Sequence, residues 1–192
     1  MLPVLRAAAR GELPSWARVN ERRRAHITSV ATLMDGWAAQ LALPEAERER
    51  WRAAAWLHDA LRLAPAADLL PLVPTAFRDL PARMLHGPAA AALLRNDGVA
   101  DEPLLLAVGH HTIGHPAFDT MGQALYAADF LEPGRTFDPL TRATLRARMP
   151  EAMAAVVAAV VRLRLIHLLR AGRAIRPETL AFWNAVAEHA RP

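Results

Sequence analysis

Residues 55–62 read Ala-Trp-Leu-His-Asp-Ala-Leu-Arg, and this stretch decides how the whole chain is interpreted. It places His58 and Asp59, two side chains that bind hard metal ions, next to each other where an apolar helix would bury Leu or Ala. Burying a charge or an unpaired imidazole costs several kcal/mol unless the group is paired or bound to a metal. The pair therefore predicts a polar site inside an otherwise apolar helical protein.

Apolar residues recur at helical spacing on both sides of this stretch. From Val19 to Leu41 they return every three or four residues, which predicts an amphipathic helix that ends at Leu43-Pro44. A second helix is predicted over residues 45–63, and the prolines that follow predict short turns. Further helices are predicted from residue 87 to Gly98, from Asp101 to 112–114, from Asp119 to 132, from 150 to 172 and from 177 to about 189.

Composition agrees with this helical pattern. The chain has 192 residues, of which 53% are hydrophobic and only 6% aromatic, and no run alternates long enough to predict a strand. We expect one all-α domain over residues 1–192, a helical bundle of roughly seven to nine helices. Cysteine is absent, which excludes disulfide scaffolds, thiolate metal sites and cysteine nucleophiles and fits a reducing cytoplasm.

The charges predict no nucleic-acid interface and no membrane span. All 23 basic residues are Arg, the net charge is +4, and the arginines are scattered, often beside an acidic residue. The first 20 residues show no signal peptide, and the longest apolar run, Ala152 to Val161, is half the length of a membrane span. We therefore expect a soluble, cytoplasmic protein. The apolar run forms either core or the surface of a homodimer.

Several other potential ligands lie at wide intervals along the chain. His26 falls on the buried face of its helix, Asp129 lies in an apolar helix, and His86 and the pair His110-His111 lie between them. Each alone is compatible with an ordinary buried histidine or with a carboxylate paired to an arginine. Together they favour a metal site, and a mixed histidine and carboxylate set suits Fe, Mn, Zn, Co or Mg. Such a site leaves positions open for water, which a metal can deprotonate near neutral pH.

The order of these residues resembles a known signature. His26, then His58-Asp59, then Asp129 resemble the H…HD…D pattern of the HD-domain phosphohydrolases, which are all-helical metal enzymes that cleave phosphate esters and anhydrides. Four further segments look like the YqeK branch of that superfamily, the symmetrical bis(5'-nucleosyl)-tetraphosphatases. They are residues 85–88 (LHGP), 111–114 (HTIG), 126–135 (YAADFLEPGR) and 177–184 (PETLAFWN). The resemblance implies an HD core over about residues 18–150, with helices from 150–190 packed on it.

The resemblance also implies an activity and a set of site residues. The activity is symmetrical cleavage of diadenosine tetraphosphate to two ADP, by a hydroxide that bridges two divalent metals, most often iron, with Mn, Co or Zn as alternatives. Residue by residue, one metal would be held by His26, His58, Asp59 and Asp129, and Asp59 would bridge to a second metal held by His86 and His111. Asp59, Asp129 and Arg62 are the implied catalytic residues.

The residues that face the phosphates depart from the family pattern at two positions. Arg62 stands where the family usually has Lys, and His115 stands where it often has Arg. Arg62, His115 and Arg135 are nevertheless the expected substrate-binding residues, since all three can bind phosphate. Adjacent helical side chains point about 100° apart, so only one of His110 and His111 can face the metal, and the family pattern assigns His111.

Two other functions remain compatible with the sequence. The same metal centre could act on a nucleoside mono-, di- or triphosphate, because Arg62 and His115 alter the side that faces the phosphates. A non-catalytic helical binding module would hold no metal. In each enzymatic interpretation the partner is a small nucleotide.

Overall fold

The computed structural model describes residues 1–190, and this part of the chain is helical without a strand. Nine of its ten α-helices have seven residues or more, and three short 3₁₀ helices complete it. The predicted all-α class is confirmed. The helices are α1 (Pro3–Ala9), α2 (Glu21–Gln40), α3 (Glu45–Leu57), α4 (Ala66–Leu69), α5 (His86–Asn96), α6 (Glu102–His110), α7 (Thr120–Leu131), α8 (Pro139–Ala147), α9 (Met153–Arg170) and α10 (Pro177–Val186).

The predicted N-caps of two helices are confirmed. The Asp101 carboxylate accepts the N–H of Leu104 at the start of α6, and the Asp119 carboxylate accepts the N–H of Gly122 at the start of α7. Each bond satisfies one of the backbone donors that a helix leaves free at its first turn. These caps set the ends of the two helices that lead to His111 and Asp129.

The helix predicted over residues 45–63 ends earlier than expected. α3 stops at Leu57, and residues 58–63 form turns. The backbone of these turns pairs with a distant segment, because the N–H of Arg18 donates to the carbonyl of Ala60 and the N–H of Leu63 donates to the carbonyl of Arg18. His58 and Asp59 therefore lie at the end of a helix, where their side chains are not confined to one helical face.

Two helices carry too little periodic signal to be predicted. α1 buries only Leu5, Ala8 and Ala9, and α8 buries only Arg142 and Leu145. A helix of seven to nine residues offers two or three repeats of the apolar pattern, which loops also show by chance.

α7 is the central element of the bundle. It packs against α2, α3, α6 and α9, while α1 packs on α3, α5 on α6 and α10 on α9. Nine of its twelve residues are buried, among them three alanines that let neighbouring helices approach closely. The apolar run of α9 packs against α7, and Val156, Val157 and Val160 are fully buried in the chain itself, so the second half of this run is core.

Within residues 1–190 no helix combines the length and the apolar character that a bilayer span requires.

Candidate metal centre and its cavity

The six residues predicted as ligands come from five separate parts of the fold and meet in one cluster. α2 supplies His26, and the turn after α3 supplies two residues. The remaining three come from the first residue of α5, the residue after α6, and the last turn of α7. The turn after α3 thus supplies His58 and Asp59, α5 supplies His86, the residue after α6 is His111, and α7 supplies Asp129. All but His26 are buried, and the His26 side chain is only 11% exposed.

The Asp59 carboxylate lies between two sets of histidines. One oxygen, Oδ1, is 3.0 Å from Nε2 of His86 and 3.6 Å from Nε2 of His111. The other, Oδ2, is 3.6 Å from Nε2 of His26 and 3.5 Å from Nε2 of His58. Because each oxygen faces a different pair of imidazoles, the carboxylate is placed as a ligand shared by two ions would be.

Backbone carbonyls fix the orientation of two of the imidazoles. Nδ1 of His58 donates to the carbonyl of Ala55 at 2.6 Å, and Nδ1 of His111 donates to the carbonyl of Val108 at 2.8 Å. With the proton on Nδ1, each ring turns the lone pair of Nε2 toward the cluster. Burial lowers the pKa of His58 to about 4, so this ring is neutral at pH 7, the state that a metal ligand requires.

His86 and His111 approach each other closely because a glycine follows His86. Their Nε2 atoms are 3.1 Å apart. Two nitrogens bound to one ion at about 2.0–2.1 Å would be separated by about 3.0–3.4 Å, so the pair has the spacing of two ligands of one ion. A Cβ atom on Gly87 would lie 2.9 Å from the carbonyl oxygens of both Val108 and Gly109. Only glycine therefore allows α5 to begin this close to the end of α6.

Glu132 is a buried part of the cluster that the sequence reasoning missed. Its Oε2 is 3.3 Å from Nδ1 of His26, and its Oε1 accepts the N–H of Gly134 at 2.7 Å. With Nδ1 held in this way, Nε2 of His26 faces Asp129 at 3.2 Å. In the sequence Glu132 was visible only as part of the Glu-Pro-Gly turn that ends a helix. Its position one helical turn after Asp129 was the available signal.

The surroundings of both aspartates of the cluster favour their ionised forms. Burial alone would raise the pKa of Asp129, but the close contact with His26 and the charge of Arg135 hold it well below its ordinary value. Burial would likewise raise the pKa of Asp59, and the neighbouring imidazoles, with His58 foremost, outweigh that effect. Nη1 of Arg23 also contacts Asp59 Oδ2 at 2.5 Å. The cluster is thus an anionic pair of carboxylates surrounded by nitrogen ligands.

A cavity of about 450 Å³ opens above the cluster, and arginine dominates its wall. Asp59, Asp129, His86 and His111 lie among the residues that line it. Eight arginines line it as well, against two aspartates and no glutamate: Arg23, Arg62, Arg83, Arg135, Arg142, Arg164, Arg173 and Arg176. A wall of this composition favours a ligand with several negative charges.

The predicted phosphate-binding residues separate into two groups. Arg62 and Arg135 line the cavity, and the Arg135 guanidinium also donates to the Asp129 carboxylate. The structure does not bring His115 into the cavity wall. Its ring packs 4.7 Å from that of His110, and its Nδ1 accepts the N–H of Ala117, and both contacts hold it away from the metal ligands.

The adjacent pair His110 and His111 diverges as helical geometry requires. His111 faces Asp59, whereas Nδ1 of His110 donates to the carbonyl of Leu106 and the ring packs against Phe77. Burial, and then the nearby His115, lower the pKa of His110 to about 4. His110 is thus a neutral residue of the packing outside the cluster.

Two cavity arginines that the sequence did not single out contact the cluster. Arg23 pairs with Asp59, and Nη2 of Arg164 lies 3.4 Å from Asp129 Oδ2. The Arg164 guanidinium also lies over the ring of Tyr126, 4.9 Å from its centroid. In contrast, Arg62, Arg83 and Arg173 make no salt bridge with any of the residues described between 1 and 190, so their charges are available to a ligand.

Comparison with known proteins gives matches of three kinds. The family model of the HD domain matches residues 23–139. A symmetrical bis(5'-nucleosyl)-tetraphosphatase of Halalkalibacterium halodurans is 30% identical over 102 residues, which are 53% of this chain and about half, 54%, of that protein. The protein of the same name from Bacillus subtilis is 25% identical over 147 residues, 72% of this chain and 77% of the relative.

The fold is also similar to a solved structure. A Clostridium acetobutylicum protein described as a "predicted HD superfamily hydrolase involved in NAD metabolism" superposes with a TM-score of 0.77 at 22% identity. The superposition covers 88% of this chain and 91% of the other. At this identity the likeness shows a common fold.

Proposed function

This chain belongs to the HD domain family of phosphohydrolases, and from that premise we propose that it cleaves diadenosine tetraphosphate symmetrically to two ADP at a centre of two divalent metal ions. The observation that carries the proposal is the cluster of six ligand-type residues, five of them buried, at an arginine-lined cavity. The names of the two bacterial relatives support the choice of substrate.

The residues of the cluster fit a divalent metal. Nε2 of His58 and Nε2 of His26 are buried and make no hydrogen bond with any described residue, although both face carboxylate oxygens. A buried polar atom without a partner costs free energy unless a further ligand satisfies it. The six residues would hold the ions in the two sets described above, with Asp59 shared, and nitrogen and carboxylate donors of this kind suit Fe, Mn, Co or Zn.

Bound metal would supply a water-derived nucleophile near neutral pH and would offset charge on the phosphoryl oxygens. The chain's own residues would position the substrate. Arg62 and Arg135 would each donate two N–H groups to phosphate oxygens, and Arg164 would hold the Asp129 carboxylate in place. The pKa values of Asp59 and Asp129 are held low, so both carboxylates would be available in the ionised form that holds divalent metals.

The reaction consumes one water molecule per substrate. The water oxygen bonds to one of the two central phosphorus atoms, and the central P–O–P bridge breaks. The bridging oxygen leaves with the other phosphate, and the displaced protons pass to solvent, so both products are ADP. The arginine wall would offset the negative charge that the tetraphosphate brings, including the charge that develops on the central phosphates as the bond breaks.

Product analysis tests this proposal directly. Purified protein loaded with Fe, Mn or Co should release ADP as the sole nucleotide from diadenosine tetraphosphate, and Asp59→Ala should abolish the reaction. Asp68→Ala, which removes an exposed aspartate of α4, is the matched control and should retain activity. ATP plus AMP as products would contradict symmetrical cleavage.

The same assay separates the two alternatives. Faster turnover of AMP or dGTP than of diadenosine tetraphosphate would assign the centre to mononucleotide hydrolysis. A protein that binds no metal and folds equally well after His58→Ala and Asp59→Ala would be a binding module.

A further inference from the structure

Two aromatic rings lie together at the wall of the cavity. Phe137 belongs to the loop between α7 and α8, and His167 belongs to α9. Both line the cavity, and their ring centroids are 6.3 Å apart with the ring planes at 60°. Phe137 is 67% exposed, which is unusual for a large apolar side chain.

Near each ring, on the same segment of chain, lies an arginine that contacts Asp129 of the metal cluster. Arg135, two residues before Phe137, donates to the Asp129 carboxylate. Arg164 lies one helical turn before His167, about 4.5 Å along the axis of α9, and its Nη2 is 3.4 Å from Asp129 Oδ2. Both segments therefore run outward from the same carboxylate and bring their rings together further along the cavity wall.

The surroundings of the two rings differ from the rest of the cavity. Leu163 and Leu168, both partly buried, also line it and add apolar surface on α9 next to His167. None of the five tryptophans lies on the cavity wall formed by the described residues. The cavity thus combines arginines suited to phosphate with an aromatic and apolar area suited to a planar ring.

We propose that Phe137 and His167 form the subsite that binds the base of the nucleotide. The proposal rests on the proposed function only in that the phosphates lie at the metal cluster. The base stacks flat on the exposed Phe137 ring, and His167, at 60° to that ring, meets the base with its edge, where a ring nitrogen can hydrogen-bond. An aromatic ring can stack on any base, but the stacking is stronger for a base with a larger ring area. The subsite therefore favours purines over pyrimidines.

Binding measured by calorimetry with two probes tests the subsite. ADP carries phosphates and a base, whereas methylenediphosphonate carries only the phosphate part. On the Mn-loaded protein, Phe137→Ala should weaken ADP binding by about 5- to 150-fold, the range for loss of one stacked base. Binding of methylenediphosphonate should change less than about 2-fold, which lies within the scatter of such comparisons. His167→Ala should act in the same direction.

Two control variants make the result specific. Phe137→Tyr keeps the aromatic face and should restore ADP binding. Leu140→Ala removes another exposed apolar side chain, 81% exposed on α8, and should leave the binding of both probes unchanged. UDP should bind more weakly than ADP to the wild type, and Phe137→Ala should reduce that difference.

The outcomes distinguish this subsite from the proposed function. Unchanged ADP binding in Phe137→Ala, equal losses for both probes, or no ADP binding by the wild type would each overturn the subsite. ADP binding that depends on Phe137, in a protein that releases no ADP from diadenosine tetraphosphate, would overturn the proposed function and leave the subsite standing.

Discussion

Glu132 holds a carboxylate oxygen 3.3 Å from Nδ1 of His26, and this contact directs the opposite ring nitrogen toward Asp129. The Glu132 carboxylate is itself fixed, because it accepts the backbone N–H of Gly134 in the turn that ends α7. One short segment of the chain therefore supplies both a carboxylate of the cluster and the group that orients the histidine facing it. Carboxylates that hydrogen-bond a metal-ligating histidine fix its tautomer and its orientation.

Removing this contact should weaken metal binding. We expect Glu132→Ala to reduce the affinity of the metal-free protein for Mn by about 10- to 100-fold, as measured by competition with a chelator. Glu132→Gln, which can still accept a hydrogen bond, should lose less. Glu151→Gln changes an exposed glutamate and serves as the control. An affinity that is the same in Glu132→Ala and in the wild type would show that His26 is oriented without Glu132.

The adjacent histidines should respond differently to substitution. His111→Ala removes a nitrogen 3.6 Å from Asp59 Oδ1 and 3.1 Å from His86, so we expect loss of one metal equivalent per chain and loss of turnover. His110→Ala removes a ring that packs on Phe77, and should lower stability by about 1–3 kcal/mol while metal content stays unchanged. Metal analysis of the two purified variants is the measurement. Metal lost from His110→Ala and kept by His111→Ala would reverse the assignment.

A Cβ at Gly87 should separate the two helices that carry His86 and His111. The added atom would lie 2.9 Å from two backbone carbonyls, which cannot yield as a flexible side chain would. We expect Gly87→Ala to lower the free energy of unfolding by about 1–3 kcal/mol and to reduce metal content.

Gly36 provides a matched control for this substitution. It lies inside α2, and a Cβ added there would meet no atom within 4 Å, so Gly36→Ala should raise the free energy of unfolding by about 0.5–1 kcal/mol. Urea denaturation of both variants provides the comparison. Equal stabilisation by the two alanines would show that α5 and α6 are not in close contact at Gly87.

Arg62 tests the phosphate-binding part of the cavity without disturbing the cluster. It lines the cavity and makes no salt bridge with another described residue, whereas Arg135 is tied to Asp129. We expect Arg62→Ala to raise KM by about 10-fold or more, the cost of one charge-assisted contact, with metal content unchanged. Arg62→Lys should keep part of the affinity, since the charge remains but the two-point geometry is lost. A KM equal to that of the wild type in Arg62→Ala would remove Arg62 from the substrate site.

How far the sequence predicts this molecule depends on the range of the interaction. The helical class and the N-caps follow from local rules, so the sequence predicts the helix starts at Asp101 and Asp119. The early end of α3 depends instead on backbone pairing with the distant Arg18, which the sequence does not reveal. The end of the helix near Gly114 was predicted, but the packing of His115 on His110, outside the cavity wall, was equally invisible.

The candidate site shows the same division. Ligand-type residues in apolar segments stand out in a sequence, because an unpaired polar group there is costly. Arg164 does not stand out, since an arginine on a helix is normally exposed, and only the packing of α9 against α7 brings it to Asp129. Phe137 likewise resembles any loop phenylalanine until the fold places it opposite His167.

The capping aspartate of α6 should make the fold sensitive to acid. Asp101 accepts from Nε and Nη2 of Arg50 at 2.5 and 2.8 Å, as well as from the N–H of Leu104. Partial burial alone would raise the pKa of Asp101, but these hydrogen bonds, with Arg50 foremost, outweigh burial and lower it below 3.8. A carboxyl group whose pKa is lower in the folded state stabilises the fold above its unfolded pKa, and that contribution is lost as pH falls through the folded pKa.

Asp101→Ala should therefore lower the free energy of unfolding by about 1–2 kcal/mol at pH 7, through loss of both the cap and the ion pair. The deficit should shrink below pH 4, where the wild type loses the same contribution. Asp101→Asn keeps the cap, so its effect measures the ion pair alone. In that variant Arg50 still has two acidic partners, Glu47 at 3.2 Å and Asp119 at 3.6 Å. Urea denaturation of the three proteins at pH 7 and pH 3 measures these differences. A deficit that is the same at both pH values would show that the ionised form of Asp101 is not what stabilises the start of α6.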